Sequence, residues 1–326
     1  MKKTRCYDSI VDIIGNTPMV RLNHVAHDVP GEVFAKLEFL NPMGSSKDRI
    51  ARYMIEKAEK EGRIKKGDLI IENSSGNTAM GLALIAIQKG YRLKVVVRDR
   101  ISREKLDQLR ALGVEIHMVD STLPPEHPDS YNNITPRLAR ETANCFFPDQ
   151  HNNLDNNEAH YLGTGPEIWE QMEGRIDYFV SGIGTGGTIG GTARFLKEKD
   201  PAIKVVAVDP VGSVFYEYFH KKQMAKPGPY LIEGLGDEFL IRCADFSAID
   251  DMLQVTDLEA FRTAREIALR EGILAGGSSG AALWGVRQLA KRIGRPARFV
   301  TIFPDGASRY LSTIYNDNWL EEKGLK

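Results

Sequence analysis

The sequence predicts an α/β protein built on parallel sheets, and three observations lead there. Short apolar runs alternate with helix-like segments at residues 94–97, 102–112 and 115–119, then at 204–208 and in the terminal run 299–303. Two further strand-like runs pass through a turn of small polar residues straight into a helix pattern. The 326 residues are enough for two domains and a large core.

Taken in order, the first informative segment is Asn41-Pro42-Met43-Gly44-Ser45-Ser46-Lys47-Asp48-Arg49. Its turn-forming residues deliver Lys47 to the start of a helix expected over about 48–62. Ser45 or Ser46 is placed to cap that helix, and Asp48 favours its first turn. The positive end of a helix disfavours an ammonium ion. An amine held neutral there is a nucleophile suited to Schiff-base formation.

The next segment is Glu72-Asn73-Ser74-Ser75-Gly76-Asn77-Thr78. It follows the strand-like Leu69-Ile70-Ile71 and precedes a helix pattern over 79–88. Hydroxyls, an amide and helix N-terminal N–H groups converge there, a set that suits a carboxylate or a phosphate. Residues 123–129, with three prolines, form the clearest loop.

The third segment is Gly182-Ile183-Gly184-Thr185-Gly186-Gly187-Thr188-Ile189-Gly190-Gly191. It lies between Tyr178-Phe179-Val180 and a helix expected over 192–199. Glycines let a backbone approach a phosphate, and Thr185 and Thr188 add hydroxyl donors. Gly182, Gly184 and Gly187 also match a dinucleotide fingerprint, with Asp209 at the spacing of its ribose-binding acid. An NAD site therefore competes with a simple phosphate cradle. No Walker lysine follows the glycines, which argues against a P-loop.

Composition narrows the classes. The 43 basic residues nearly cancel the 44 acidic ones, and no basic stripe suggests nucleic acid. Lys221-Lys222 reads as a solvated loop. No apolar stretch reaches the roughly 18 residues of a membrane span. Residues 1–5 lead into no apolar core, so no signal peptide is expected. Three cysteines, Cys6, Cys145 and Cys243, are too few for a disulfide framework, and a cytoplasmic location is expected. The seven histidines, His151 and His160 among them, show no metal-ligand spacing, so no metal is expected.

The order of lysine turn, hydroxyl-rich turn and glycine cradle resembles the β-family of pyridoxal-phosphate enzymes, fold type II, which includes cysteine synthase and cystathionine β-synthase. The resemblance runs from Ile14-Gly15-Asn16-Thr17-Pro18-Met19-Val20 to Arg309-Tyr310-Leu311-Ser312. It implies two three-layer αβα domains with pyridoxal 5'-phosphate in the cleft between them. A smaller, mobile domain is expected over 44–150, and a larger one over 1–43 and 151–326. A homodimer is implied as well. Neither an N-terminal haem segment nor a C-terminal regulatory module is expected.

Position by position, the resemblance makes Lys47 the lysine that holds the cofactor as an aldimine, and Asn77 the partner of its ring hydroxyl. Gly184, Thr185, Gly186, Gly187 and Thr188 resemble the phosphate cradle. In Gly276-Gly277-Ser278-Ser279-Gly280, Ser278 resembles the residue that meets the pyridine nitrogen. Ser74, Ser75, Gly76, Asn77 and Thr78 resemble the loop that grips the substrate carboxylate, and Gln150 a glutamine that serves the same group. A serine at the ring nitrogen leaves that nitrogen mostly unprotonated, which suits β-elimination to an aminoacrylate over transamination.

Some positions depart from the family pattern. They are Met43, Ser46, Ser74, Ala79 and the segment Pro304-Asp305-Gly306-Ala307-Ser308-Arg309. The segments 208–213, 230–239 and 315–320 look closer to cystathionine β-synthase than to cysteine synthase. The resemblance thus implies β-replacement on L-serine or O-acetyl-L-serine, with L-homocysteine as the leading nucleophile. Glu233, Asp237 and Glu238 are the acids expected to meet its ammonium group. Sulfide, as in cysteine synthase, and an amine, as in diaminopropionate synthesis, are the alternatives.

Overall fold

Apolar runs that do not alternate need cover on both faces, and this requirement organises the molecule. The computed structural model describes residues 6–124 and 126–326. Residues 1–5 and Pro125, read above from the sequence, lie outside the described residues.

The chain enters through β1 (Met19–Arg21) and β2 (Gly31–Leu37), followed by α1 (Lys47–Lys60). Then come β3 (Leu69–Asn73), α2 (Asn77–Lys89), β4 (Arg92–Arg98), α3 (Arg103–Ala111), β5 (Glu115–Val119), α4 (Tyr131–Glu141) and β6 (Cys145–Phe146). Helix α5 (Asp155–Ala159) runs through a π-helical turn, His160–Thr164, into α6 (Gly165–Gln171). Next are β7 (Tyr178–Gly182), α7 (Gly187–Lys199), β8 (Lys204–Pro210) and α8 (Phe215–Lys221). The chain continues with β9 (Asp251–Val255), α9 (Asp257–Glu271), α10 (Gly277–Ile293), β10 (Ala297–Phe303) and α11 (Asp317–Glu322).

Among the described residues the strands form two sheets. One is wholly parallel, in the order β5-β4-β3-β6. The other runs β1-β2-β10-β7-β8-β9, parallel except for β1 against β2.

Strand β8 shows why both faces are covered. Val206 and Val208 pack with Phe261, Ala281 and Val286 of α9 and α10. Their neighbours Val205 and Ala207 pack with Leu196 of α7 and Phe215 of α8. The smaller sheet is sandwiched likewise. Val95 and Val97 meet α1 and α2, whereas Val96 meets Ile134 of α4. Both sheets are therefore three-layer αβα, as the family resemblance implies.

The ends of elements differ from the sequence expectation. Strand β3 continues through Glu72 and Asn73, because the ladder to Val95 and Val96 holds these polar residues extended. Helix α7 starts at Gly187, inside the glycine run, because its glycines let it press against α5: a Cβ on Gly191 would lie 2.0 Å from the Asn157 carbonyl oxygen. Lys221 lies in α8 and pairs with Glu217 one turn earlier, at 2.7 Å, so it is not a loop residue.

A buried ionic cluster pins α1. Arg49 reaches Glu38 at 2.6 Å and Glu167 at 2.7 Å, while fully buried Lys36 joins Glu167 at 2.6 Å. Burial pushes the Glu38 carboxyl up, but the Arg49 guanidinium outweighs it and holds the group at about 2. Two residues before Arg49 stands Lys47, so the cluster fixes the base of the site.

Candidate active site

In a parallel sheet, ligands collect beyond the carboxyl ends of the strands, where the following helices begin. Three such ends line one cleft of about 1050 Å³ here. Strand β3 leads to Ser74–Thr78, β7 to the glycine run, and β10 to Pro304 and Asp305. The N-terminus of α10 adds Ser278, and that of α1 adds Lys47.

Lys47 is half-buried and faces the cleft. Its turn is pinned to the end of β10, where Ser46 N donates to the Pro304 carbonyl at 2.9 Å. Ser45 Oγ accepts from Lys47 N at 3.2 Å, whereas Ser46 makes no side-chain cap. The Asp48 carboxylate accepts from Met43 N at 2.7 Å. Burial pushes the Lys47 amine below its ordinary pKa, against the pull of Asp305 and Glu38. Its Nζ makes no hydrogen bond among the described residues.

The glycine run forms a tight cradle. Gly186 has φ +83°, the left-handed region, and a Cβ there would lie 2.4 Å from Ala244 Cα. A Cβ on Gly184 would lie 2.0 Å from the Gly234 carbonyl oxygen, and one on Gly187 would lie 1.8 Å from Asn156 Oδ1. The backbone N–H groups of Gly184, Thr185 and Gly186 donate to no protein group among the described residues. Asn156 Nδ2 donates to Thr185 Oγ1 at 3.1 Å and to the Gln150 carbonyl at 2.7 Å.

Behind the cradle, Thr188 Oγ1 meets His160 Nε2 at 3.1 Å, and His160 Nδ1 meets Thr164 Oγ1 at 2.9 Å. Burial pushes the His160 imidazolium down to about 3, so the ring is neutral. His160 belongs to the π-helical turn, a feature that recurs at functional sites.

The residues expected to grip a substrate carboxylate also converge. Thr78 Oγ1 donates to Gln150 Oε1 at 2.5 Å, and both residues are buried. Ser74 Oγ accepts from Gly76 N and Ala79 N, each at 3.3 Å, and so shapes the turn. Ser75, Gly76 and Thr78 all line the cleft. Asn77 lines it too, with its amide held by Asp305 and Arg309. Ser278 Oγ has no protein hydrogen bond among the described residues.

Two sequence readings change. Asp209 does not line the cleft. It is fully buried and accepts from Tyr216 N at 3.0 Å, capping α8, so the dinucleotide reading loses its ribose acid. Glu233 pairs with Lys105 of α3 and is not a free acid. Asp237 and Glu238 line the cleft unpaired by any lysine or arginine among the described residues. Sequence reasoning gave no role to Lys105, Asn156, Asp305 or Arg309. Asp305 and Arg309 follow a predicted strand, which placed them beside the cleft, but Asn77, the partner they share, lies over 200 residues away.

An amine, a neutral hydroxyl and a set of unpaired backbone donors thus open into one cleft. These fit the aldehyde, ring nitrogen and phosphate of pyridoxal phosphate. The model of the pyridoxal-phosphate dependent enzyme family matches residues 10–305. The chain belongs to that family.

Among curated relatives, this family member is 41% identical to cystathionine beta-synthase of Apis mellifera over 99% of its own length. It is 42% identical to that of Dictyostelium discoideum over 98%, and 41% identical to that of Mus musculus over 99%. The chain spans 64%, 64% and 58% of the length of these relatives. A solved hydrogen sulfide-producing enzyme from Fusobacterium nucleatum superposes with TM-score 0.87 at 37% identity, covering 95% of this chain and 99% of that one. Among the described residues no helix is long and apolar enough to cross a membrane, and no cluster of acidic, histidine or cysteine side chains is arranged to hold a metal.

Proposed function

We propose that this chain catalyses β-replacement on L-serine or O-acetyl-L-serine, with L-homocysteine as the nucleophile and L-cystathionine as the product. The observation that carries the reading is the shared cleft: a Lys47 amine unpaired among the described residues opens onto the same space as the Thr78–Gln150 pair and the glycine cradle. Similarity to cystathionine beta-synthases across 98–99% of the chain supports the choice of substrates.

Lys47, Asn77, Ser278 and residues 184–188 would hold the cofactor. Bound pyridoxal phosphate supplies an electron sink that acidifies the Cα proton of an attached amino acid. The Lys47 amine, lowered in basicity by burial, takes that proton and later returns one. Gln150 would donate its amide N–H to the substrate carboxylate, and the Thr78 hydroxyl would turn from Gln150 Oε1 to the same group, which fixes the Cα–H bond relative to Lys47. Ser278 presents a neutral hydroxyl, which favours loss of a β-substituent over proton transfer elsewhere. We assign residues 44–150 to a smaller domain that closes the cleft and excludes water. A homodimer, by family resemblance, and a cytoplasmic setting, supported by three free cysteines, complete the reading.

A second reading is sulfide chemistry, favoured by the hydrogen sulfide-producing structural neighbour. The deciding experiment crosses serine and O-acetylserine with homocysteine, sulfide and free amines and identifies the products. Cystathionine as the fastest product is expected. Cysteine formed faster from sulfide would replace the homocysteine reading, and no product from any pair would remove both.

A further inference from the structure

The Asn77 carboxamide is held from both ends by residues far away in sequence. Arg309 Nη1 donates to Asn77 Oδ1 at 2.5 Å, and Asn77 Nδ2 donates to Asp305 Oδ2 at 2.8 Å. An arginine only donates, and an ionised carboxylate only accepts. The flipped amide would set oxygen against carboxylate and nitrogen against guanidinium, so one orientation alone is compatible with this pair. Asp305 is itself oriented: Tyr310 Oη donates to the same Oδ2 at 2.6 Å, and the residue is buried.

Arg309 has a second grip. Its Nη2 donates to the Met43 carbonyl at 2.7 Å, while Met43 N is held by Asp48. One guanidinium therefore ties the lysine turn to the start of α2. Arg309 makes no ion pair with a carboxylate among the described residues, and its Nε is buried without a partner. A cation placed this way is not accounted for by surface pairing.

We propose that Arg309 and Asp305 are positioning residues that lock Asn77 as a hydrogen-bond donor to the cofactor's ring oxygen. Asn77 Nδ2 carries two hydrogens; Asp305 takes one and the other remains for a ligand in the cleft. A fixed N–H donor stabilises an anionic ring oxygen over a protonated one. The inference rests on the pyridoxal-phosphate reading of the site.

The test uses Arg309→Leu, Arg309→Lys and Asp305→Asn beside the wild type, each stripped and reloaded with pyridoxal phosphate. Two readouts are taken: the dissociation constant of the cofactor, and the balance between its visible and near-ultraviolet absorption, which reports the charge on its ring oxygen. Arg309→Leu and Asp305→Asn are expected to weaken binding by about tenfold or more and to shift absorption toward the near ultraviolet. Arg309→Lys, which keeps one cationic donor, is expected to restore much of the wild-type balance. Should Arg309→Leu fail to fold by circular dichroism, Arg309→Gln is read by the same criteria. Folded variants with wild-type absorption balance overturn the proposal, whatever their turnover. A wild type that takes up no pyridoxal phosphate overturns the cofactor reading instead.

Discussion

Lys105 Nζ is bonded to the Glu233 carboxylate, joining α3 on the four-stranded side of the cleft to the loop after α8 on the six-stranded side. Lys105 also lies 5.8 Å from the centre of the Tyr310 ring. Its side chain is 10% exposed and that of Glu233 is 50% exposed, so the pair sits at the rim, where the net gain is at most about 1 kcal/mol. Its importance is selective: Glu233 enters the ligand-recognition problem already neutralised.

For the proposed homocysteine nucleophile, the acids left to meet its ammonium group are Asp237 and Glu238. Asp237 is half-buried, and burial pushes its carboxyl up to about 6. Asp237→Asn is expected to weaken use of homocysteine while leaving sulfide use unchanged or faster, because sulfide has no ammonium group. Glu233→Gln is expected to alter both reactions alike. The two rates are measured with the first substrate saturating. A parallel fall of both rates in Asp237→Asn would contradict the assignment.

Thr78 and Gln150 should act as one carboxylate grip. Removing one hydrogen bond to a charged group costs roughly 1.5–3 kcal/mol, or about ten- to a hundred-fold in kcat/KM. Thr78→Ala and Gln150→Ala should each show this loss with the cofactor's visible absorption intact. The double variant should lose less than the product of the two, because the residues contact each other at 2.5 Å. Steady-state kinetics on all three variants decide it, and full efficiency in both single variants would place the carboxylate elsewhere.

Gly186 should not tolerate a side chain. Its φ of +83° costs an alanine roughly 1–2 kcal/mol, and the overlap with Ala244 adds to that. Gly186→Ala is expected to lose at least about 2 kcal/mol in urea unfolding and to release cofactor on dialysis. Wild-type stability with retained cofactor would show that the cradle adapts.

His160 predicts a pH effect. Burial pushes its imidazolium from the ordinary 6.5 down to about 3. Between these values the unfolded chain binds a proton that the folded chain refuses. The stabilisation is thus fully present above about pH 6.5 and is lost as the pH falls toward about 3. His160→Gln removes that term, so its stability should fall less steeply from pH 6.5 to 4. Urea midpoints across this range test the claim. Parallel curves for variant and wild type would show that His160 is not the group responsible.

Local chemistry made much of this protein legible from its sequence. Strand, turn and helix within some twenty residues located both cradles, because glycine, hydroxyl and capping patterns act through neighbouring backbone. Lys47 at a helix start, the 184–188 run and the alternation of strands and helices belong to that class. Parallel strands place the turns of one sheet on one side, but that the turn after β3 of one sheet faces the turns after β7 and β10 of the other was decided by how the sheets pack. What else only the tertiary structure decided is which side chains meet. Asp209 had the spacing of a ribose acid, yet its carboxylate turns to the N–H of Tyr216 and is buried there. His160 reads as an unremarkable histidine until the π-helical turn sets it against Thr188. Glu233 reads as a free acid until Lys105, 128 residues away, neutralises it. Arg309 and Asn77 are 232 residues apart, and no local pattern connects a guanidinium to an amide. Such contacts depend on how two sheets pack across a cleft, and each hydrogen bond requires a fit of a few tenths of an ångström that sequence spacing does not encode.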